Sequence, residues 1–135
     1  MNVVDLTALF PKRAHPHGLS PQDFVELFTA DGDVTFAFHG YARAMHQILH
    51  GRSSPGRFHV HGFWEQGTTT TPFDMVVLNE MSRYHLASHA VQRSRALAPG
   101  IPALLEHCQD MLERHHAYVR EHLDDMPEVR DWVWS

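Results

Sequence analysis

The chain has little of what would announce a function. It carries one cysteine, Cys108, so an internal disulfide and a cysteine-rich metal site are both excluded. No apolar run reaches about 18 residues, and a membrane span is not expected. The opening stretch "MNVVDLTALFPKR" lacks a basic segment ahead of an apolar one and a small-residue cleavage site. The expectation is a chain without a signal peptide, located in the cytoplasm. Lys and Arg total 11 against 16 Asp and Glu, a net charge of −5, with no basic stripe. Nucleic acid is therefore not an expected partner. The motifs GxGxxG, GxxxxGK[ST], GxSxG and HExxH are absent, as are internal repeats and low-complexity tails.

What is present describes a globular chain. Its 135 residues suit one domain, 43% of them are hydrophobic and 20% charged. A chain of this size buries about 68% of its unfolded surface. The unusual count is 13 histidines; adding 13 charges to −5 gives +8 if all are protonated. Solubility or association is expected to change between about pH 7 and pH 5.5. A solubility curve flat across that range would contradict this.

The local patterns alternate between strand and helix. "NVVDL" (2–6) is β-branched and apolar, which predicts a strand. Ser20, Pro21 and Asp23 signal a helix start over 21–30, with Phe24, Leu27 and Phe28 on one side. "DGD" (31–33) is a turn, "VTFAFHG" (34–40) a second strand and 41–51 a helix closed by Gly51. After the loop 52–57, "FHVHGFW" (58–64) predicts a third strand. A long helix is expected from Pro72 to about Arg95, and another over 101–123 with Ile101, Leu104, Leu105, Cys108, Met111, Leu112, His115, Val119 and Leu123 on one stripe. The tail holds Trp132 and Trp134, which should pack against something. Apolar strands alternating with helices predict an α/β fold, a small, mainly parallel sheet flanked by helices.

Candidate chemistry is sparse. His46 and His50, and His85 and His89, are spaced i, i+4 on helices; His59 and His61 share a strand face; His15 and His17 flank a proline. Such pairs can chelate zinc, but no carboxylate completes a recognisable ligand pattern, and no metal site is assigned. His39 stands at the C-terminal end of a strand, where open parallel sheets bind ligands, or it serves as a hydrogen-bonded corner. The run Thr68, Thr69, Thr70, Thr71 follows Gly67 and precedes Pro72. Its hydroxyls and N–H groups could cradle an anion at a helix start. No Lys or Arg lies within the run; Arg57 and Arg83 flank it at a distance. Local physics favours a structural crossover, with Thr71 as N-cap and Asp74 completing a capping-box-like pair.

Four segments together, "HPHGLS", "FAFHGY", "EQGTTTTPFDMVVLNEMSRYHL" and "REHLDDMPEVRDWVW", resemble the C-terminal domain of the xylulose-5-phosphate/fructose-6-phosphate phosphoketolases. The resemblance covers nearly the whole chain, with the motifs in order. It implies a transketolase C-terminal-like fold, in a domain that would begin with a further strand and helix ahead of "NVVDL". It further implies a homodimeric enzyme dependent on thiamine diphosphate and magnesium. That enzyme cleaves a ketose phosphate with inorganic phosphate to acetyl phosphate, an aldose phosphate and water. Cofactor and substrate would be held by two preceding domains, so no catalytic, cofactor-binding or metal residue is carried over to this chain. The expected partners are those catalytic domains, in cis or on a separate chain, and a second copy in a homodimer. Alone, the chain would be structural; a half of a split enzyme and a free-standing histidine-rich metal- or anion-binding module are the alternatives.

The chain departs from the family pattern in several places. Ala42-Arg43 stands where a Pro-Trp pair is usual, and the loop "SSPG" (53–56) where a basic, Asn-His-containing stretch is expected. His61 and Phe63 stand where the family has Arg and Tyr. An anion or subunit contact made there would be weakened.

Overall fold

The computed structural model describes residues 1–65, 67, 69–94 and 98–133. The chain divides into two compact units, Met1–Gly62 and Phe63–Ser135, and each has its own apolar core.

The first unit holds helix α1 (Pro21–Phe28), strand β1 (Val34–Phe38), helix α2 (Ala42–Leu49) and strand β2 (Phe58–Gly62). The two strands are parallel and in register from Val34↔Phe58 to Phe38↔Gly62. Helix α1 starts where the sequence signals it: Ser20 accepts from the Asp23 N–H at 3.1 Å and the Asp23 carboxylate returns a bond to Ser20. It buries Phe24 and Phe28 against Phe36, Phe58, Leu9, Met45 and Leu49. Leu27, expected on the same stripe, is half exposed. Period-2 alternation turns Val34, Phe36, Phe58 and Val60 toward this core and leaves Thr35, Ala37, His59 and His61 on the other face.

The expected first strand does not form. Asp5 accepts from both the N–H and the hydroxyl of Thr7, at 2.9 and 2.6 Å, and caps a 3₁₀ turn over Leu6–Leu9. A short side chain that bonds its own backbone offers an alternative to the sheet ladder. Val3 and Leu6 still reach the core, while Val4 points into solvent. Among the described residues the sheet thus has two strands rather than three.

The second unit is helical: α3 (Pro72–Leu78), α4 (Arg83–Arg93), α5 (Ile101–His122) and the single turn α6 (Pro127–Arg130). The long helix expected from Pro72 is two helices. Asn79 donates to the Met75 carbonyl at 2.8 Å and accepts from the Trp64 N–H at 2.6 Å, Glu80 adopts φ +54, and Ser82 starts α4 by accepting from the His85 N–H at 3.3 Å. Side-chain bonds to the backbone on both sides of the turn outcompete the continuous apolar run. Helix α5 follows its expected stripe through Cys108, Met111 and His115, although Leu104 and Leu123 are exposed. The tail packs in part: Met126 and Val129 are buried, and the Arg83 guanidinium lies 4.6 Å from the Trp132 ring. Trp134 lies outside the described residues. No helix among the described residues is long and apolar enough to cross a membrane.

Candidate functional site

The threonine run leads into the best-organised polar cluster of the second unit. Gly67 takes φ +71, a conformation that favours glycine. Thr68 lies outside the described residues, Thr69 is exposed, Thr70 half-buried and Thr71 buried. The Thr71 hydroxyl does two things. It accepts from the Asp74 N–H at 3.3 Å, capping α3, and it donates to Asp125 Oδ1. The second Asp125 oxygen accepts from the Phe73 N–H at 3.1 Å. The anion position at the start of α3 is filled by a carboxylate of the chain itself. The expected capping box is half made: the Asp74 carboxylate takes its bond from the Thr70 hydroxyl, at 2.6 Å.

Behind these groups lies His115 of α5, with no exposed surface. Its Nε2 is 3.6 Å from Asp74 Oδ1 and 3.8 Å from Asp125 Oδ1, beyond hydrogen-bond distance. His116 Nδ1 approaches Asp74 Oδ1 at 3.8 Å. Neither His115 ring nitrogen has a hydrogen-bond partner among the described residues, and its ring stands edge-on to Phe73 at 5.1 Å. Burial pushes its pKa down, Asp74 and Asp125 oppose that, and the net direction is downward. A neutral imidazole therefore faces two carboxylates, all of them nine-tenths buried or more.

This arrangement joins elements of the second unit. The Thr71 hydroxyl donates to Asp125 while it accepts from the Asp74 N–H, so both of its bonds stay within the chain. Among the described residues no group of three or more His, Cys, Asp or Glu is arranged to hold a metal ion. The cluster ties α3, α5 and the turn before α6 together.

The other candidate residues are dispersed. His39, just past β1, is exposed and lines a groove of about 330 Å³ with Val3, Leu6 and Met45 in the first unit. His59 pairs with Asp33 at 3.1 Å, His17 with Asp5 at 3.3 Å, and His85 Nδ1 meets the Ser82 hydroxyl at 2.8 Å.

Two buried arginines also escape a reading of the sequence, where they look like members of a surface loop. Arg57 donates to the carbonyls of Phe28, Thr29 and Gly32 at 2.7–2.9 Å, closing the C-terminal end of α1. Arg52 donates to those of Leu9, Leu19 and Phe10 at 2.6–3.1 Å, and its guanidinium lies 4.0 Å above the Phe24 ring. The Arg57 Nη donors are thereby committed to the main chain of the first unit. Downstream, Arg83 is stacked between the rings of Tyr84 and Trp132.

Residues 1–134 match the family model of the XFP C-terminal domain. The chain belongs to this family. It is 54% identical over 134 residues to a probable phosphoketolase of Bradyrhizobium diazoefficiens, covering 99% of this chain and 17% of the relative. Probable phosphoketolases of Chlorobaculum tepidum and Streptomyces avermitilis are 46% and 47% identical over 135 residues, covering all of this chain and again 17% of each relative. The XFP C-terminal domain thus accounts for the whole chain, and the chain spans about one-sixth of the length of the curated relatives it matches. Its small parallel sheet flanked by helices agrees with a transketolase C-terminal-like domain.

Proposed function

We propose that this chain is the C-terminal module of a phosphoketolase and works by packing against catalytic domains that hold the reaction centre. The observation that carries this is the coverage: the chain is matched end to end, yet represents 17% of each relative. The reaction would be the cleavage of xylulose 5-phosphate or fructose 6-phosphate with inorganic phosphate to acetyl phosphate, an aldose phosphate and water.

The residues of the candidate site do not fit thiamine diphosphate. A diphosphate needs cations or free N–H groups, and the start of α3 presents Asp125 and Asp74. We therefore place thiamine diphosphate and magnesium on the catalytic domains, in cis or on a separate chain. The packing role is supported by large apolar side chains left in solvent, among them Val4, Leu27, Leu123 and Val133, which a covering partner would bury.

Mixing tests this. The chain alone, supplied with xylulose 5-phosphate, phosphate, thiamine diphosphate and magnesium, should yield no acetyl phosphate. Catalytic domains of a relative, prepared without their own matched segment, should co-purify with the chain and gain activity in its presence. Acetyl phosphate from the chain alone overturns the proposal, as does failure of the catalytic domains to bind it both when mixed and when fused.

A further inference from the structure

The chain has a single lysine, Lys12, and it is followed by Arg13 on the loop before α1. Both are exposed, and neither forms an ion pair among the described residues. Lys12 acts at longer range on Asp23, whose carboxylate is already held in the α1 capping box. The two cations border a cavity of about 290 Å³ whose lining includes Arg52, Ser53 and Phe24, with Pro11 and Pro21 as apolar walls. No carboxylate is among its lining residues.

Arg52 makes this cavity more than a surface dent. It is 7% exposed, and its N–H groups reach main-chain carbonyls rather than a carboxylate. Carbonyl oxygens satisfy the donors but supply no counter-charge. A buried charge is normally paired with an opposite one. Burial lowers the pKa of Arg52 without changing its charge at neutral pH. In a chain of net charge −5, one small cavity therefore gathers three of the 11 cationic residues.

We propose that this cavity binds a small phosphate-bearing anion, with Lys12 and Arg13 as a charged rim, the Ser53 hydroxyl as a donor and Arg52 as a fixed positive charge beneath. A phosphate dianion answers several convergent cations better than a carboxylate does. The ligand is either free phosphate or an organic phosphate whose carbon portion lies on Pro11, Pro21 and Phe24. This inference does not depend on the proposed function.

Titration calorimetry on the 135-residue chain, at constant ionic strength and pH 7.5, tests it with inorganic phosphate, glycerol 3-phosphate and acetate. One saturable site for at least one of the phosphates is expected, with acetate about tenfold weaker or worse. Tighter glycerol 3-phosphate points to an organic phosphate; equal or tighter inorganic phosphate points to the free ion. The Lys12→Ala/Arg13→Ala double variant should weaken phosphate binding about tenfold or more at an unchanged thermal midpoint. Lys12→Glu alone provides a second variant should the double variant fold poorly. The proposal is overturned by the absence of saturable binding of either phosphate, by acetate binding equally well, or by variants that bind as the parent does.

Discussion

Thr71 and Asp125, 54 positions apart in the sequence, are joined side chain to side chain: the Thr71 hydroxyl donates to Asp125 Oδ1 while it also caps α3. The bond makes the threonine run a piece of joinery that closes α3 onto the turn before α6. It also leaves an incoming anion no vacant donor at this position.

The joint should show as coupled energetics. Asp125→Ala leaves the Thr71 hydroxyl and the Phe73 N–H without their acceptor, and about 2–4 kcal/mol of stability should be lost. Thr71→Ala should cost about 1–2 kcal/mol. The double variant should lose less than the sum, by about 1 kcal/mol or more. Urea unfolding of the four proteins measures this, and strict additivity would show that the two residues act separately.

His115 makes the cluster sensitive to acid. Its folded pKa lies below the ordinary imidazole value because burial disfavours the charged form, while Asp74 and Asp125 offset this in part. The unfolded state therefore binds more protons between the two pKa values. The stabilisation is complete above the ordinary imidazole pKa and is lost as pH falls through the folded value. The His115→Gln variant should show a shallower loss of stability between pH 7 and pH 5 than the parent. Parallel slopes would place the acid sensitivity on other histidines. A buried His115 also means that the full swing of 13 charges is not reached at the same pH as for exposed histidines.

Arg52 anchors the first unit through main-chain carbonyls of Leu9, Phe10 and Leu19. Arg52→Lys keeps the charge but cannot form the fork of bonds to Leu9, Leu19 and Phe10. Both Arg52→Lys and Arg52→Met should lose about 2–4 kcal/mol, seen as a lower urea midpoint. A loss confined to Arg52→Met would show that charge rather than geometry matters there.

Local patterns revealed the elements whose causes are local. Ser20, Pro21 and Asp23 announce α1, the apolar runs mark β1 and β2, and the stripe through Cys108, Met111 and His115 outlines α5. The quoted motifs carried the family. What stayed hidden depends on side chains choosing partners. Asp5 and Asn79 bond nearby backbone and so end a predicted strand and a predicted helix within runs whose apolar pattern continues. The cluster of Thr71, Asp74, His115 and Asp125 is assembled from segments far apart in the chain. One local signal could have found it: a histidine at a core position of α5, where an apolar residue is the norm.

The most direct test of the central claim is an acetyl-phosphate assay on the purified chain with xylulose 5-phosphate, phosphate, thiamine diphosphate and magnesium, run with and without separately prepared phosphoketolase catalytic domains. A packing module predicts no acetyl phosphate from the chain alone and a rise in activity when the catalytic domains receive it. Acetyl phosphate formed by the chain alone would contradict the account.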